Sequence, residues 1–122
     1  MWESSVSELF IGGRDGEYLE FELTPEGHWV ALRFDAPRHR AAGHEKPSEA
    51  LWLGKVLPFA GDQGFGMELS YEMLEEFVCG NALHLQCAAS FGENRYGLFP
   101  WWCDEGKADF HQPGRFCELA LV

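Results

Sequence analysis

The chain has 122 residues, enough for one domain whose core hides about two-thirds of the unfolded surface without disulfide staples. Nine Lys and Arg against twenty Asp and Glu leave a net charge of −11, and no basic cluster interrupts the acidity, which disfavours nucleic acid and anionic membranes as partners. No apolar run approaches the ~18 residues of a spanning helix and no basic, apolar leader opens the chain, so a cytoplasmic location away from the membrane is the expectation.

The first β-rich run, Ser5 to Ile11, ends in the turn cluster Gly12-Gly13-Arg14-Asp15-Gly16. It leads into Tyr18 to Phe34, which reads as a hairpin. Leu19, Phe21 and Leu23 alternate with Tyr18, Glu20 and Glu22, and Val30, Leu32 and Phe34 alternate with Trp29, Ala31 and Arg33. A four-residue loop, Thr24-Pro25-Glu26-Gly27, sets Leu23 opposite His28, Phe21 opposite Val30 and Leu19 opposite Leu32, apolar against apolar. The other face then pairs Tyr18 with Arg33 and Glu22 with Trp29.

Asp35 to Glu49, with two prolines and no period, reads as a loop. Leu51 to Leu57 is apolar on both faces and predicts a buried strand ended by Pro58. Phe65, Met67, Leu69 and Tyr71 alternate as a further strand, and Glu72 to Phe77 predicts a helix of about two turns. Leu83, Leu85, Cys87, Ala89 and Phe91 alternate with His84, Gln86, Ala88 and Ser90, giving a long strand with a polar face that Gly92-Glu93-Asn94 turns back. Arg95 to Trp102 reads as an edge strand because of Pro100. Phe116 to Val122 closes the chain with Cys117, Leu119 and Leu121 facing in. The expected fold is all-β, one antiparallel β-sandwich domain over residues 1–122 with one short helix.

The four cysteines, Cys79, Cys87, Cys103 and Cys117, show no C-x-x-C spacing and read as reduced, with Cys87 and Cys117 as small buried hydrophobes.

Val6 to Ile11, Tyr18 to Trp29 and Lys107-Ala108-Asp109-Phe110-His111 together resemble the DOMON-like group related to family 9 carbohydrate-binding modules. The resemblance implies a jelly-roll sandwich whose relatives bind sugars non-catalytically through tryptophans, or in some branches haem. Several strands normally precede the first of these segments, so the resemblance also implies an N-terminally shortened module. Exposed apolar sheet surface left by such a loss is a reason to associate, and a homodimer is expected.

Two aromatic groups are candidate ligand sites. Trp29, Tyr18, Arg33, Glu20 and Glu22 are expected on the non-core face of the hairpin, where rings stack on a sugar and charged groups bond its hydroxyls. The bland alternative is an ordinary sheet surface or a dimer contact. Trp101 and Trp102 in Phe99-Pro100-Trp101-Trp102 point to opposite faces of a strand, so one of them is the second candidate platform.

No histidines fall at a recognised metal spacing, so no metal site is assigned, and Asp109 or His111 is expected to fix a turn by hydrogen bonding. Haem is disfavoured and calcium is left open. No Gly-x-Ser-x-Gly elbow, phosphate loop or selected carboxylate pair marks an enzyme. The function expected is non-catalytic carbohydrate binding by aromatic stacking; the alternative is an assembly domain that homodimerises through exposed aromatic sheet surface.

Overall fold

The computed structural model describes residues 6–62, 64–90, 96–99, 111 and 113–120. The chain is all-β with one short α-helix, and its strands pair antiparallel throughout. The described strands are β1 (Val6–Gly12), β2 (Tyr18–Leu23), β3 (Trp29–Ala36), β4 (His39–Arg40), β5 (Val56–Gly61), β6 (Gly64–Leu69), β7 (Ala82–Ser90), β8 (Tyr96–Phe99) and β9 (Cys117–Ala120). The helix α1 spans Tyr71–Glu75. A seven-stranded sheet runs in the order β4-β3-β2-β1-β7-β8, with β9 sharing the outer edge of β7 with β8. Among the described residues no helix is long and apolar enough to cross a membrane.

Two turns set the register. Asp15 and Gly16 both have positive φ, 55° and 82°, the handedness of a type I′ turn that matches the twist of the strands it joins. The second turn is one residue longer than the sequence suggests. The Gly27 N–H donates to the Thr24 carbonyl and the Thr24 N–H to the His28 carbonyl, both at 2.9 Å, with Gly27 at φ 89°. This is a turn followed by a left-handed glycine bulge, and it moves the partner strand along by one position. Phe21 therefore faces Ala31, Leu19 faces Arg33 and Tyr18 faces Phe34, correcting the expected pairs of Phe21 with Val30, Leu19 with Leu32 and Tyr18 with Arg33.

The consequence is a sheet buried on both sides. On one face Ile11, Leu19, Phe21, Ala31 and Leu83 pack under Trp52, Val56, Met73 and Phe77, so the β5–β6 ribbon, α1 and the 3₁₀ helix Glu49–Trp52 form the covering layer. On the other face Phe10, Tyr18, Leu32, Phe34, Ala88 and Phe116 make a second cluster. Gln86 is 0% exposed, so the polar face expected of β7 is an interior face, while Cys87, expected inside, is exposed. Cys79 and Cys117 are half-buried free thiols.

Other expectations need smaller corrections. Leu51 to Leu57 is not one strand: the 3₁₀ helix takes Leu51 and Trp52, Gly54 turns the chain at φ 76°, and β5 starts at Val56. Leu119 is half-exposed rather than facing in. The turn expected at 92–94 and the ends of the strand expected over 95–102 lie outside the described residues.

Gly27→Ala places a Cβ on a left-handed backbone with open space around it, so its cost is conformational. It is expected to lower stability by about 1–2 kcal/mol, read as a lower urea midpoint at unchanged slope, with Gly27→Asn milder.

Candidate functional site

The five residues expected on one hairpin surface fall on two faces. Trp29 follows Leu23 to the side of the first core and packs against it half-buried, and Arg33 sits on that side opposite Leu19. Tyr18, Glu20 and Glu22 lie on the opposite face, the first two buried and Glu22 half-buried. The shared aromatic and charged surface is undone by the one-residue bulge. Trp101 and Trp102 lie outside the described residues.

On the Trp29 side a cleft of about 500 Å³ opens at the end of the first core. Its floor is apolar, made by Leu19, Trp52, Met73 and Phe77. Its mouth is polar: Arg33 comes from β3, His44 from the loop after β4, Lys55 from the turn before β5, and Glu72 and Glu76 from one side of α1. Arg33 lies over the Phe77 ring, 5.2 Å from its centroid, and donates at 3.3 Å to Glu17 on one side and to Glu76 on the other. Being part-exposed, these pairs do more to aim the guanidinium than to stabilise the fold. His44 meets the Trp52 ring edge-on at 5.6 Å, and burial together with the Arg33 charge holds its pKa below the ordinary value. The neutral ring both donates and accepts. Trp52 Nε1 is buried without a hydrogen-bond partner among the described residues.

On the opposite face Glu8, Glu20 and Glu22 converge. Glu8 faces Glu22 across β1 and β2, and Glu20 faces Phe10 one step along. One carboxylate oxygen from each lies within 4.8 Å of the others. Glu8 and Glu20 are 5% and 3% exposed, and the Oε2 atoms of Glu8 and Glu22 are buried with no hydrogen-bond donor among the described residues. Burial foremost, then the charge of Glu22 and a hydrogen bond shared with it, push Glu8 up to about 8. Burial, the charges of Glu22 and Glu8 and a hydrogen bond with Glu22 push Glu20 up to about 9, opposed by Arg40.

Beside this cluster Tyr18 stacks on Phe34 at 4.7 Å, and its hydroxyl is 2.7 Å from His111 Nδ1 and accepts the Arg38 N–H at 3.0 Å. His111 thus ties the chain ahead of β9 to β2, a long-range hydrogen bond rather than the local turn expected of it, and Asp109 lies outside the described residues. Sequence reasoning missed Glu8 as a partner of Glu22. The signal was present, since Glu8, Phe10, Glu20 and Glu22 share a parity that puts them on one face once β1 and β2 are joined by the Asp15-Gly16 turn. The cleft had no such signal, because its mouth is assembled from separate segments.

No protein-family model, curated protein or solved structure matches the chain.

A carboxyl that keeps its proton longer in the folded than in the unfolded state adds stability that is full below its unfolded pKa, ordinarily 4.5, and is lost as pH rises through the folded value. In chelator-treated protein, the melting temperature is expected to fall between pH 5 and pH 9, through the window set by the values of about 8 and about 9. The Glu8→Gln/Glu20→Gln double variant keeps the polar shape without the proton and should flatten that fall. An equal slope in both proteins would show that these two carboxyls are not its source.

Proposed function

We propose that this chain is a non-catalytic binding domain for a carbohydrate or a similar polyhydroxylated ligand, and that the ligand sits in the cleft rather than on the hairpin surface. The observation that supports this is the chemistry of one concavity: an apolar floor of Leu19, Trp52, Met73 and Phe77 beneath a mouth bearing Arg33, Lys55, Glu72 and Glu76. A sugar has the same division, with a C–H face for the floor and a rim of hydroxyls that both donate and accept. Mixed charges suit such a neutral ligand better than an anion or a cation, since neither sign dominates the mouth. Arg33, one of the residues expected at a ligand site, lines this cleft. The resemblance of the β1 to β3 segments to sugar-binding modules points to the same ligand class.

Titrating the protein with mono- and oligosaccharides while following tryptophan fluorescence tests the reading. A saturable change with one sugar class is expected. Arg33→Met and Glu76→Gln should each weaken binding about tenfold or more, the worth of one charged hydrogen bond, and change stability by less than about 1 kcal/mol. No response across the panel from folded protein, or binding indifferent to both variants, would sink it.

A second reading, assembly as a homodimer, is favoured by β5. Leu57 and Phe59 stand on its outer side, 62% and 54% exposed, and Phe59 reaches across the spot where a Cβ on Gly66 would sit. Leu57→Lys, set opposite Glu68, is expected to convert a dimer to a monomer in sedimentation velocity without loss of melting temperature. A wild-type monomer at micromolar concentration removes this reading.

A further inference from the structure

We propose that Glu8, Glu20 and Glu22 form a binding site for one hard divalent cation of the calcium class, held between β1 and β2 on the face of the sheet opposite the cleft. Three observations converge on it. The first is spacing: an oxygen from each carboxylate lies within 4.8 Å of the others. Oxygens that share one calcium at about 2.3–2.6 Å can be no more than about 5 Å apart, so the three need little movement to close on an ion.

The second is the state of the individual atoms. Glu8 is 5% exposed, yet its Oε2 has no hydrogen-bond donor, and the Oε2 of Glu22 is likewise buried and unpartnered. Buried carboxylate oxygens ordinarily have donors, and an orphan of this kind carries a desolvation cost of about 1–3 kcal/mol or more. Each is turned away from water, with no partner among the described residues beyond a proton held inside the cluster itself. A cation supplies that partner to both.

The third is charge. The groups that act on Glu20 across this face are Glu8, Glu22 and Arg40, and Arg40 is the cation among them, lying over the Phe34 ring at 5.4 Å. Once all three have given up their protons, the carboxylates against one guanidinium carry two negative charges beside Phe10, Leu32 and Phe34, which is the charge a divalent ion neutralises as it displaces those protons. The donor set selects among metals. It is all oxygen, with no thiolate or imidazole, which argues against zinc. Magnesium demands an octahedron and retains several waters, for which a site this buried has little use, whereas calcium accepts bidentate carboxylates in irregular geometry. The cleft reading plays no part here, so either stands if the other fails.

The test uses the full chain stripped with EDTA and titrated with calcium chloride at fixed pH, with bound ion counted by equilibrium dialysis and folding followed by the melting temperature. Terbium, sensitised by the aromatic side chains beside the cluster, gives a direct optical readout. The expected result is one ion per chain, a rise in melting temperature on saturation, and affinity reduced at least tenfold in Glu22→Gln and in Glu8→Gln/Glu20→Gln. A Glu26→Gln/Glu75→Gln control, which removes the same number of exposed charges, should bind as the wild type does. Should the buried double variant fail to fold, Glu22→Gln at its half-buried position decides alone. Binding that is absent, or equally affected in the control and in Glu22→Gln, overturns the site and leaves only diffuse attraction to an acidic surface.

Discussion

The one-residue bulge at Gly27 decides what this sheet is. Had the strands paired apolar to apolar, Leu19, Phe21, Leu32 and Phe34 would share one interior and the glutamates would line an open surface. The left-handed glycine shifts β3 so that Val30, Leu32 and Phe34 join the side of Glu20 and Glu22, while Ala31 and Arg33 join Leu19 and Phe21. Both faces then contain large apolar groups that are buried. The same shift brings Arg33 to the rim of the cleft and sets Val30 and Leu32 opposite Glu22 and Glu20, whose meeting with Glu8 is fixed by the β1–β2 pairing.

The two faces resolve their polar content differently. Arg33 lies at the margin, part-exposed, and meets Glu17 and Glu76 where water still screens the pairs, so its position costs the fold little. The glutamates have no such outlet. Burying one large apolar side chain such as Phe10 or Phe34 contributes about 1.5–3 kcal/mol, while an ionised carboxylate taken out of water without a partner costs several kcal/mol. Two or three charged carboxylates would cancel the gain of the whole second cluster. The face is therefore compatible with neutral carboxyls, one of whose protons bridges Glu8 and Glu22, or with a counter-charge among them. Tyr18 shows the contrasting solution: a hydroxyl with partners on both sides, His111 and the Arg38 backbone, can be fully buried at no such cost.

Strand positions were largely legible from alternation, because Tyr18 to Leu23, Gly64 to Leu69 and Ala82 to Ser90 each carry a two-residue period, and Glu72 to Phe77 has the composition that makes α1. What alternation does not encode is which side is inside when both are. Gln86 and Glu20 look like surface residues in a one-faced sheet, and each is interior on the face where Phe10, Tyr18, Leu32, Phe34 and Phe116 cluster. The run from Leu51 to Leu57 misled for a related reason: apolar residues on every side suit a buried strand or a tight helical turn equally, and Gly54 with its positive φ settles the matter by bending the backbone. The cleft was illegible because Arg33, His44, Lys55 and Glu76 meet through tertiary folding, and no local spacing relates them. His111 was expected to fix a local turn, and its contact with the Tyr18 hydroxyl was illegible because the two are brought together only by tertiary folding.

β1 lies in the middle of the large sheet, between β2 and β7, although it is the first of the described strands. Its partner on one side is immediate, but on the other Val6 waits for Ser90 and Gly12 for His84. During synthesis, then, the hairpins from β1 to β3 can form early and must persist with the β1 edge unpaired until most of the chain has emerged. Loop closure over that separation is slow compared with hairpin formation, so the late step in folding is the docking of β7. An early intermediate with an open edge along Leu9 and Phe10 is a template for another chain, and Glu8 on the same strand is a charge that a foreign strand would have to bury.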